Sequence, residues 1–438
     1  MYASSLFNGL AGIKAHTRAM ESVADNISNV STPGYKSTRA AFEDLIYQKL
    51  GGAGADDQPG SGAFTNVVNI MAQSSMQPSD YATDMAINGN GFFTVEDPQD
   101  EGALYYTRSG DFTIDQNGLV VNPEGYVLKG FAIDDEGEIN KNVLVDIVVP
   151  RAPQGAEPTD LVNLGINLNA ADTRTFNDSQ AIDPTNINTY NTTSSFEVVD
   201  ADGVTHYLTA FHQRQKNEDG GVGLTWKTSV FEYSGGTYID NPPDPDNTYY
   251  LRFDDKGQLS GVSPNGTAYA DNGEINLDFE FDEEQRVTLD YSPTARNSST
   301  MLAGANETFY LDHNGYSAGS ITGVDIDRYG MITALFSNEE KEQIGVVALT
   351  NFKSPTELNR IGGTLWQATA AAGDPQVEQP GDEDLAMGKI KAYALENSDV
   401  DMSEQFVNMI NYQRAFQANS KSITTSDEML QKAINLKT

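Results

Sequence analysis

The chain has 438 residues, with 27 Lys and Arg against 63 Asp and Glu, a formal net charge of −36 and no cysteine. That charge repels nucleic-acid phosphates and anionic membrane surfaces, and the missing cysteine excludes a disulfide framework, a thiolate zinc site and a thiol nucleophile. No apolar run reaches the roughly 18 residues needed to cross a bilayer, while the length allows two or three domains with sizeable cores.

At the N-terminus Leu6, Ile13, Met20 and Ile27 fall seven apart, with Leu10, Thr17 and Ala24 between them. This spacing predicts an amphipathic, coiled-coil-like helix, with Ser4 or Ser5 as a candidate cap. Thr32 precedes a proline and is pushed out of helical geometry. Pro33-Gly34 then makes the turn that ends the rod. A cleavable leader is not expected, because a basic n-region is lacking and His16, Arg18, Glu21 and Asp25 interrupt the apolar residues. The chain is therefore expected to be cytoplasmic or exported by a route that reads no removable leader.

The long middle is rich in Tyr, Phe, Thr, Val and turn signals and reads as antiparallel β. Along Ile275–Phe281, apolar Ile275, Leu277, Phe279 and Phe281 alternate with polar residues, as on a half-buried strand. Val287, Leu289 and Tyr291 continue the pattern after a turn, which predicts a hairpin. Further turns are expected at Asn117-Gly118, Asp202-Gly203, Lys256-Gly257, Asn265-Gly266 and Asn314-Gly315. Gly89-Asn90-Gly91 reads as a tight entry to the strand beginning Phe92-Phe93. Residues 51–60, 241–247 and 379–384 look like flexible surface connections.

No catalytic constellation emerges. HExxH, GxSxG and Walker patterns are absent, and the histidines (His16, His206, His212 and His313) stand at no zinc-ligand spacing. They read as surface or hydrogen-bonded groups. Asp200-Ala-Asp202-Gly203 and Asp325-Ile-Asp327 hint at calcium but complete no twelve-residue loop, and a hairpin turn is the simpler account of the first. No cofactor and no metal are expected.

At the C-terminus Met402, Met409, Phe416, Ile423 and Leu430 are again seven apart, with Phe406, Gln413, Ser420, Asp427 and Ile434 on the adjoining stripe. Asp401 with Glu404 resembles a capping box, so a helix is expected from about 402 to 435. Thr17, Gln413, Ser420 and Asp427 sit where a stable coiled coil wants Leu or Ile. Two such helices order fully only when more neighbours surround them; the plainer alternative is a pair of surface helices on a globular core. Charge is partitioned in the same sense: residues 1–50 carry +1 and residues 399–438 carry −1, so the body between holds the entire excess.

Five blocks in order carry a family likeness. ESVADNISNVSTPGYKS (21–37), with Asn26, Asn29, Pro33, Gly34 and Tyr35 at its core, resembles the N-terminal signature of the flagellar rod and hook axial proteins. ALENSDVDMSEQFVNMINYQRAFQANSKSITTSDEMLQKAINL (394–436) resembles the matching C-terminal signature. MAINGNGFFTV (85–95), YTRSGDFTIDQNGLVVNPEGYVLKGF (106–131) and GVVALTNFKSPTELNRIGGTLWQAT (345–369) are similar to the same family. The long stretch between Phe131 and Gly345 resembles the outer domain of its hook members, as does SSFEVVDADGVTHYLTAFHQ (194–213), whereas TPGYK is equally at home in rod members.

The resemblance implies a mixed fold: an α-helical terminal domain of paired, coiled-coil-like N- and C-terminal helices plus two mainly antiparallel β domains. It places residues 1–32 with 399–438 in an inner helical domain and 33–70 in an extended linker. Residues 71–148 with 320–398 form a first β domain, and 149–319 an inserted outer one. It implies a structural, non-enzymatic subunit that polymerises helically with itself into a curved tube. Leu6, Leu10, Ile13, Met20 and Ile27 would then line the assembly seam with Met402, Phe406, Met409, Phe416, Ile423, Leu430 and Ile434. Implied partners are rod, hook-cap and hook–filament junction proteins and the flagellar type III export apparatus, with no nucleic acid, no membrane insertion and an extracellular location. The alternatives are a distal rod subunit and, from another class, an extracellular β-rich carbohydrate-binding protein or enzyme.

Overall fold

The computed structural model describes residues 2–44, 63–100, 102–134, 137–216, 221–240, 247–281 and 284–435. The connection expected at 51–60, nearly all of that at 241–247 and the centre of the turn before Val287 lie outside these residues. The chain divides into two compact units. The first is built from Met1–Arg151, Thr322–Leu335 and Lys341–Thr438, and the second from Ala152–Ile321 and Phe336–Glu340. The described fold is mostly antiparallel β with two long helices.

In the first unit the helices are α1, Tyr2–Ser28, and α2, Met402–Asn435. They run antiparallel, since Gly9 and Gly12 of α1 lie against Ile423 and Asn419 of α2, and Asn26 lies against Gln405. The first stops ahead of Pro33, where the Asn29 side chain turns back to donate 2.8 Å to the Asp25 carbonyl. The second starts at Asp401, whose carboxylate accepts from the Ser403 and Glu404 amides at 2.8 and 3.1 Å. That satisfies two of the donors a helix start leaves open. A two-stranded ribbon, Thr38–Asp44 with Ala63–Asn69, packs on α1.

The large sheet of this unit runs in the order Ile321–Ile326, Met331–Phe336, Lys341–Val347, Val127–Ile133, Phe92–Glu96, Leu104–Thr107, Leu365–Gln367, Asn359–Gly362. Its strands come from both flanks of the second unit's sequence. Two further pairings, Met85–Asn88 with Lys389–Ala392 and Met76–Pro78 with Ala394–Glu396, tie the N-terminal flank to the C-terminal one. Phe92, Tyr106, Phe352, Leu358 and Trp366 form one cluster of its core. The 379–384 segment, expected to be a loose connection, is instead pinned. Pro380 is buried against Gly330, and the Gly381 amide donates 2.9 Å to the Gly388 carbonyl.

The second unit packs a six-stranded sheet against a four-stranded one. A single core takes Phe196, Leu208, Trp226 and Leu251 from the first and Leu164, Leu277, Phe279 and Leu289 from the second. The hairpin expected around 275–291 is Glu274–Glu280 with Glu284–Asp290. Ile275, Leu277, Phe279, Val287, Leu289 and Tyr291 are all buried, so period-two alternation sets both faces.

A five-residue turn recurs through both units: an Asp, two residues, a Gly with positive φ, then the returning strand. At Asp115, Asp200, Asp254 and Asp327 the carboxylate accepts from the amides two and four residues on, at 2.8–3.0 Å. The carboxylate thereby performs an Asx-turn, and Gly257, at φ 77°, supplies the left-handed position. Asp200 and Asp327, two of the residues that hinted at calcium, are occupied in this way. Among the described residues no group of three His, Cys, Asp or Glu is placed to hold a metal ion.

His206 lies between Asp200 and Glu232, 2.9 and 2.8 Å from their carboxylates. Burial alone would lower its pKa, but these bonds outweigh it and raise it. His212 is fully buried between Thr228 and Ser194, and burial lowers its pKa to about 3. The unfolded chain therefore takes up this proton first as pH falls below about 6.5, and the stability His212 contributes is lost towards pH 3. The wild-type advantage over His212→Asn is expected to shrink by roughly 3 kcal/mol between pH 7 and pH 4, as measured by urea unfolding. An unchanged difference would contradict the neutral, buried imidazole.

Candidate functional site

Among the described side chains of α1 the fully buried face is made of small or polar residues: Gly9, Ala15, Ala19, Ser22 and Asn26, with Val23 the one larger apolar member. Small residues let the two backbones approach closely. A Cβ at Gly9 would stand 2.7 Å from Ile423, and one at Gly12 would stand 2.8 Å from the Asn419 side chain. The larger apolar residues of α1 are not fully covered. Ile13, Met20 and Ile27 are half-buried and Leu10 is 45 % exposed.

The second helix shows the same inversion. Met409, Phe416 and Ile423 are half-buried, and beside them lie Gln405, Tyr412, Asn419 and Ser426. That companion stripe is one residue earlier in each heptad than the one counted from apolar content. Met402 and Phe406 are 42 and 50 % exposed, Val407 and Ile410 are 58 and 49 % exposed, and Met429 is 50 % exposed. The side chains of Leu6, Leu430 and Ile434 lie outside those described. A monomeric helical hairpin normally buries its large apolar stripe. Here much of that stripe is left to solvent, and contiguous apolar surface of this kind marks an interaction site.

The turn after α1 fastens the helices to the sheet. Asn26 is fully buried and serves three segments. Its Nδ2 donates to the Thr38 carbonyl at 2.8 Å and to Gln405 Oε1 at 3.2 Å, and its Oδ1 accepts from the Thr38 amide at 3.0 Å and from the Tyr35 hydroxyl at 3.3 Å. Asn29 stays at the helix end and Pro33 is half-buried in the turn. Gly34 has φ 66°, and a Cβ there would meet the Ser109 amide nitrogen at 2.4 Å, so only glycine fits. Its own N–H donates 2.7 Å to the Glu396 carbonyl. The Tyr35 ring is 2 % exposed, with the Arg360 guanidinium 4.1 Å from its centroid.

The next residue belongs to a buried charge cluster. Lys36 Nζ lies 2.6 Å from Glu396 Oε1, with both side chains essentially inaccessible, and also donates 2.7 Å to the Ala72 carbonyl. Arg108 Nε stands 3.4 Å from the other Glu396 oxygen, an ion-pair distance too long for a good hydrogen bond. The Arg108 guanidinium also holds the carbonyls of Gly91 and Gly89 at 2.9 and 2.8 Å. The tight strand entry at 89–91 is thus a cradle for this arginine. Burial lowers the pKa of Lys36, opposed by the Glu396 carboxylate, and burial likewise lowers that of Arg108. Asp399 accepts from the Ser37 amide and hydroxyl at 2.7 and 3.0 Å, while burial raises its pKa. One carboxylate between two buried cations is a lock rather than a reaction centre.

Lys36, Arg108, Glu396 and Asp399 form a buried polar network that sequence reasoning did not single out. Their one local signal is their place inside the blocks GYKS, YTRSGD and ALENSDVD. Sequence pattern alone gives no reason to pair residues some 360 positions apart.

The chain matches three family models: "Flagellar basal body rod FlgEFG protein C-terminal" over residues 391–436, "Flagellar hook protein FlgE/F/G D1 domain" over 86–169, and "Flagellar basal body protein FlaE D2 domain" over 167–316. Among curated relatives it is 30 % identical to the flagellar hook protein FlgE of Borreliella burgdorferi and 29 % identical to that of Treponema pallidum, in each case over 99 % of both chains. It is 27 % identical to the FlgE of Salmonella typhimurium over 99 % of this chain and 100 % of that one. Its fold is similar to the crystal structure of Helicobacter pylori flagellar hook protein FlgE2, with a TM-score of 0.53 and 16 % identity over 73 % of this chain and 100 % of that one. A relation that runs from one terminal helix to the other, through both units, means that the chain belongs to the flagellar hook protein FlgE family.

Proposed function

We propose that this chain is the structural subunit of a bacterial flagellar hook, polymerising helically into a short curved tube that joins rod to filament and acts as a universal joint. The observation that carries this is the end-to-end relation to hook proteins. The exposed apolar stripe of the terminal helices supplies the physical counterpart. A head-to-tail contact that does not close on itself makes an open helical polymer, and the stripe is covered once several copies surround it.

In this reading residues 1–32 with 399–438 form the inner, coiled-coil-like layer. Leu6, Leu10, Ile13, Met20, Ile27, Met402, Phe406, Met409, Phe416, Ile423, Leu430 and Ile434 are its buried seams. Residues 33–70 are the extended connection, 71–148 with 320–398 the first β domain, and 149–319 the outer one. The near-neutral ends pack closely while the acidic bodies stay in water, which limits self-repulsion. The role is structural, as in the relatives, and involves no catalysis. Rod, hook-cap and junction proteins are the neighbours at the two ends of the tube. The subunit reaches the outside of the cell through the flagellar export apparatus. The end-to-end relation to hook proteins favours a hook subunit over a rod subunit.

Electron microscopy of the concentrated pure chain is the test. Curved tubes are expected. Short straight rods would move the assignment to the rod, and persistent monomers would refute the subunit reading.

A further inference from the structure

Seven Asn-Gly pairs occur in the chain. Glycine has no side chain to block approach to its backbone nitrogen, so in each pair that nitrogen can close a five-membered ring on the asparagine carboxamide carbon. The structure treats the pairs differently, and Asn265-Gly266 stands apart.

This pair lies in the second unit, in the loop after the strand Leu259–Ser263. Val262 and Ala270 close the loop at its base, exchanging amide hydrogen bonds of 3.0 and 2.8 Å. Asn265 is exposed, whereas Ser263 behind it is wholly buried. Three donors converge on Asn265 Oδ1: the Ser263 hydroxyl at 3.1 Å, the Thr267 amide at 3.1 Å and the Thr267 hydroxyl at 2.7 Å. Such donors draw electrons from the carboxamide carbon, and they hold the negative charge that gathers on Oδ1 when that carbon is attacked. Among the described residues nothing accepts a hydrogen bond from Asn265 Nδ2 or from the Gly266 amide. Leaving group and nucleophile are both unencumbered. Gly266 has φ 72° and lies over the Tyr250 ring, where an added Cβ would stand 3.4 Å away.

At the other pairs one of these conditions fails. The Gly89 and Gly118 amides are already bonded, to Gln73 Oε1 at 3.1 Å and to the Asp115 carbonyl at 3.2 Å. Asn272 Nδ2 is held by the Glu274 carboxylate at 2.8 Å, and Asn314 Nδ2 is held by Asp160. No donor among the described residues reaches Asn90 Oδ1, and Gly9 lies inside α1.

We propose that Asn265 is a self-modifying residue, at which the folded chain deamidates in water ahead of its other Asn-Gly pairs. The Gly266 nitrogen gives its proton to hydroxide and attacks Asn265 Cγ. The Cγ–Nδ2 bond breaks, Nδ2 leaves as ammonia with a proton from water, and a five-membered imide remains. Water opens the imide at either carbonyl, giving aspartate or, with one more methylene in the main chain, isoaspartate. Nothing is oxidised or reduced. Each event adds one carboxylate to this loop, and because water is the only reagent consumed, the converted fraction records the age of the chain.

The test is to hold the folded full-length chain in neutral buffer and follow each Asn-Gly pair with time by tandem mass spectrometry. Asn265 should convert about tenfold faster than Asn117 or Asn272, or more, the scale set by donors aimed at a developing oxyanion. Thr267→Val, at an exposed position, removes one of those donors. It should keep the melting temperature, slow Asn265 by about tenfold and leave Asn272 unchanged. In guanidinium, where the loop no longer exists, the pairs should convert at similar rates. The proposal is overturned if Asn265 converts no faster than Asn272 in the folded chain, if Thr267→Val leaves its rate unchanged, or if its lead persists in guanidinium.

Discussion

Glu396→Ala should release the terminal helices from the sheet and destabilise the first unit by about 3–5 kcal/mol, the cost of stripping the counter-charge from a buried pair. Two cations depend on this carboxylate. Lys36 is 2.6 Å from one oxygen and Arg108 is 3.4 Å from the other, and all three side chains are 95 % or more inaccessible. Removing the carboxylate also leaves the Ser74 amide without its 2.9 Å acceptor. Glu396→Gln keeps the shape and one acceptor oxygen but not the charge, and should fall between wild type and alanine. Urea unfolding followed by tryptophan fluorescence reads this, since Trp366 lies in the same unit. A loss below about 1 kcal/mol, the range of solvent-exposed ion pairs, would show that the lock is not electrostatic.

The second large effect is on assembly rather than folding. Phe406 and Ile410 are 50 and 49 % exposed in the lone chain, one turn apart on α2. Phe406→Asp with Ile410→Asp should leave the melting temperature of the monomer within a few degrees of wild type. The same pair should abolish tubes, because each copy would then bury an unpaired carboxylate at the contact, at several kcal/mol per ion. Sedimentation and electron microscopy at wild-type assembly concentrations decide it. Normal tubes would mean that this stripe faces water in the polymer, and the seam would have to lie elsewhere on the helix pair.

The two helices, the end of α1 and the start of α2 were readable because their signals are local: a seven-residue apolar spacing, Asp401 ahead of α2, Pro33 after α1; the cap expected at Ser4 or Ser5 was not found there, since α1 already runs from Tyr2. The hairpin at 274–290 was readable for the same reason, since alternation within one strand sets its two faces. The inward face of α1 was less so. Counting large apolar residues points to Leu6, Leu10, Ile13 and Met20, whereas α1 meets α2 through Gly9 and Gly12, and Ala15 and Ala19 are among its buried residues. Close approach selects for small side chains, and the proposed polymer contact would cover the large ones. The recurring turns were found by their glycines at 118, 203 and 257. The more informative residue is the Asp three positions earlier, which does the hydrogen bonding. The buried Lys36–Glu396–Arg108 lock could not be read from pattern, because a charged residue in sequence looks like a surface residue until its partner is known. The 379–384 segment misled by composition: proline and glycine there shape a packed turn against Gly330.

Amide hydrogen exchange along Tyr2–Ser28 and Met402–Asn435, measured on dilute monomer and on assembled tubes of the same chain, tests most directly whether these helices are completed by their neighbours. Exchange in the lone chain should be fast along both helices, apart from the segment fastened near Asn26 and Gln405, and should slow by about a hundredfold or more in the tube, the equivalent of roughly 3 kcal/mol of added burial. Equal, strong protection in both states would contradict the account, because the helix pair would then be finished within a single copy.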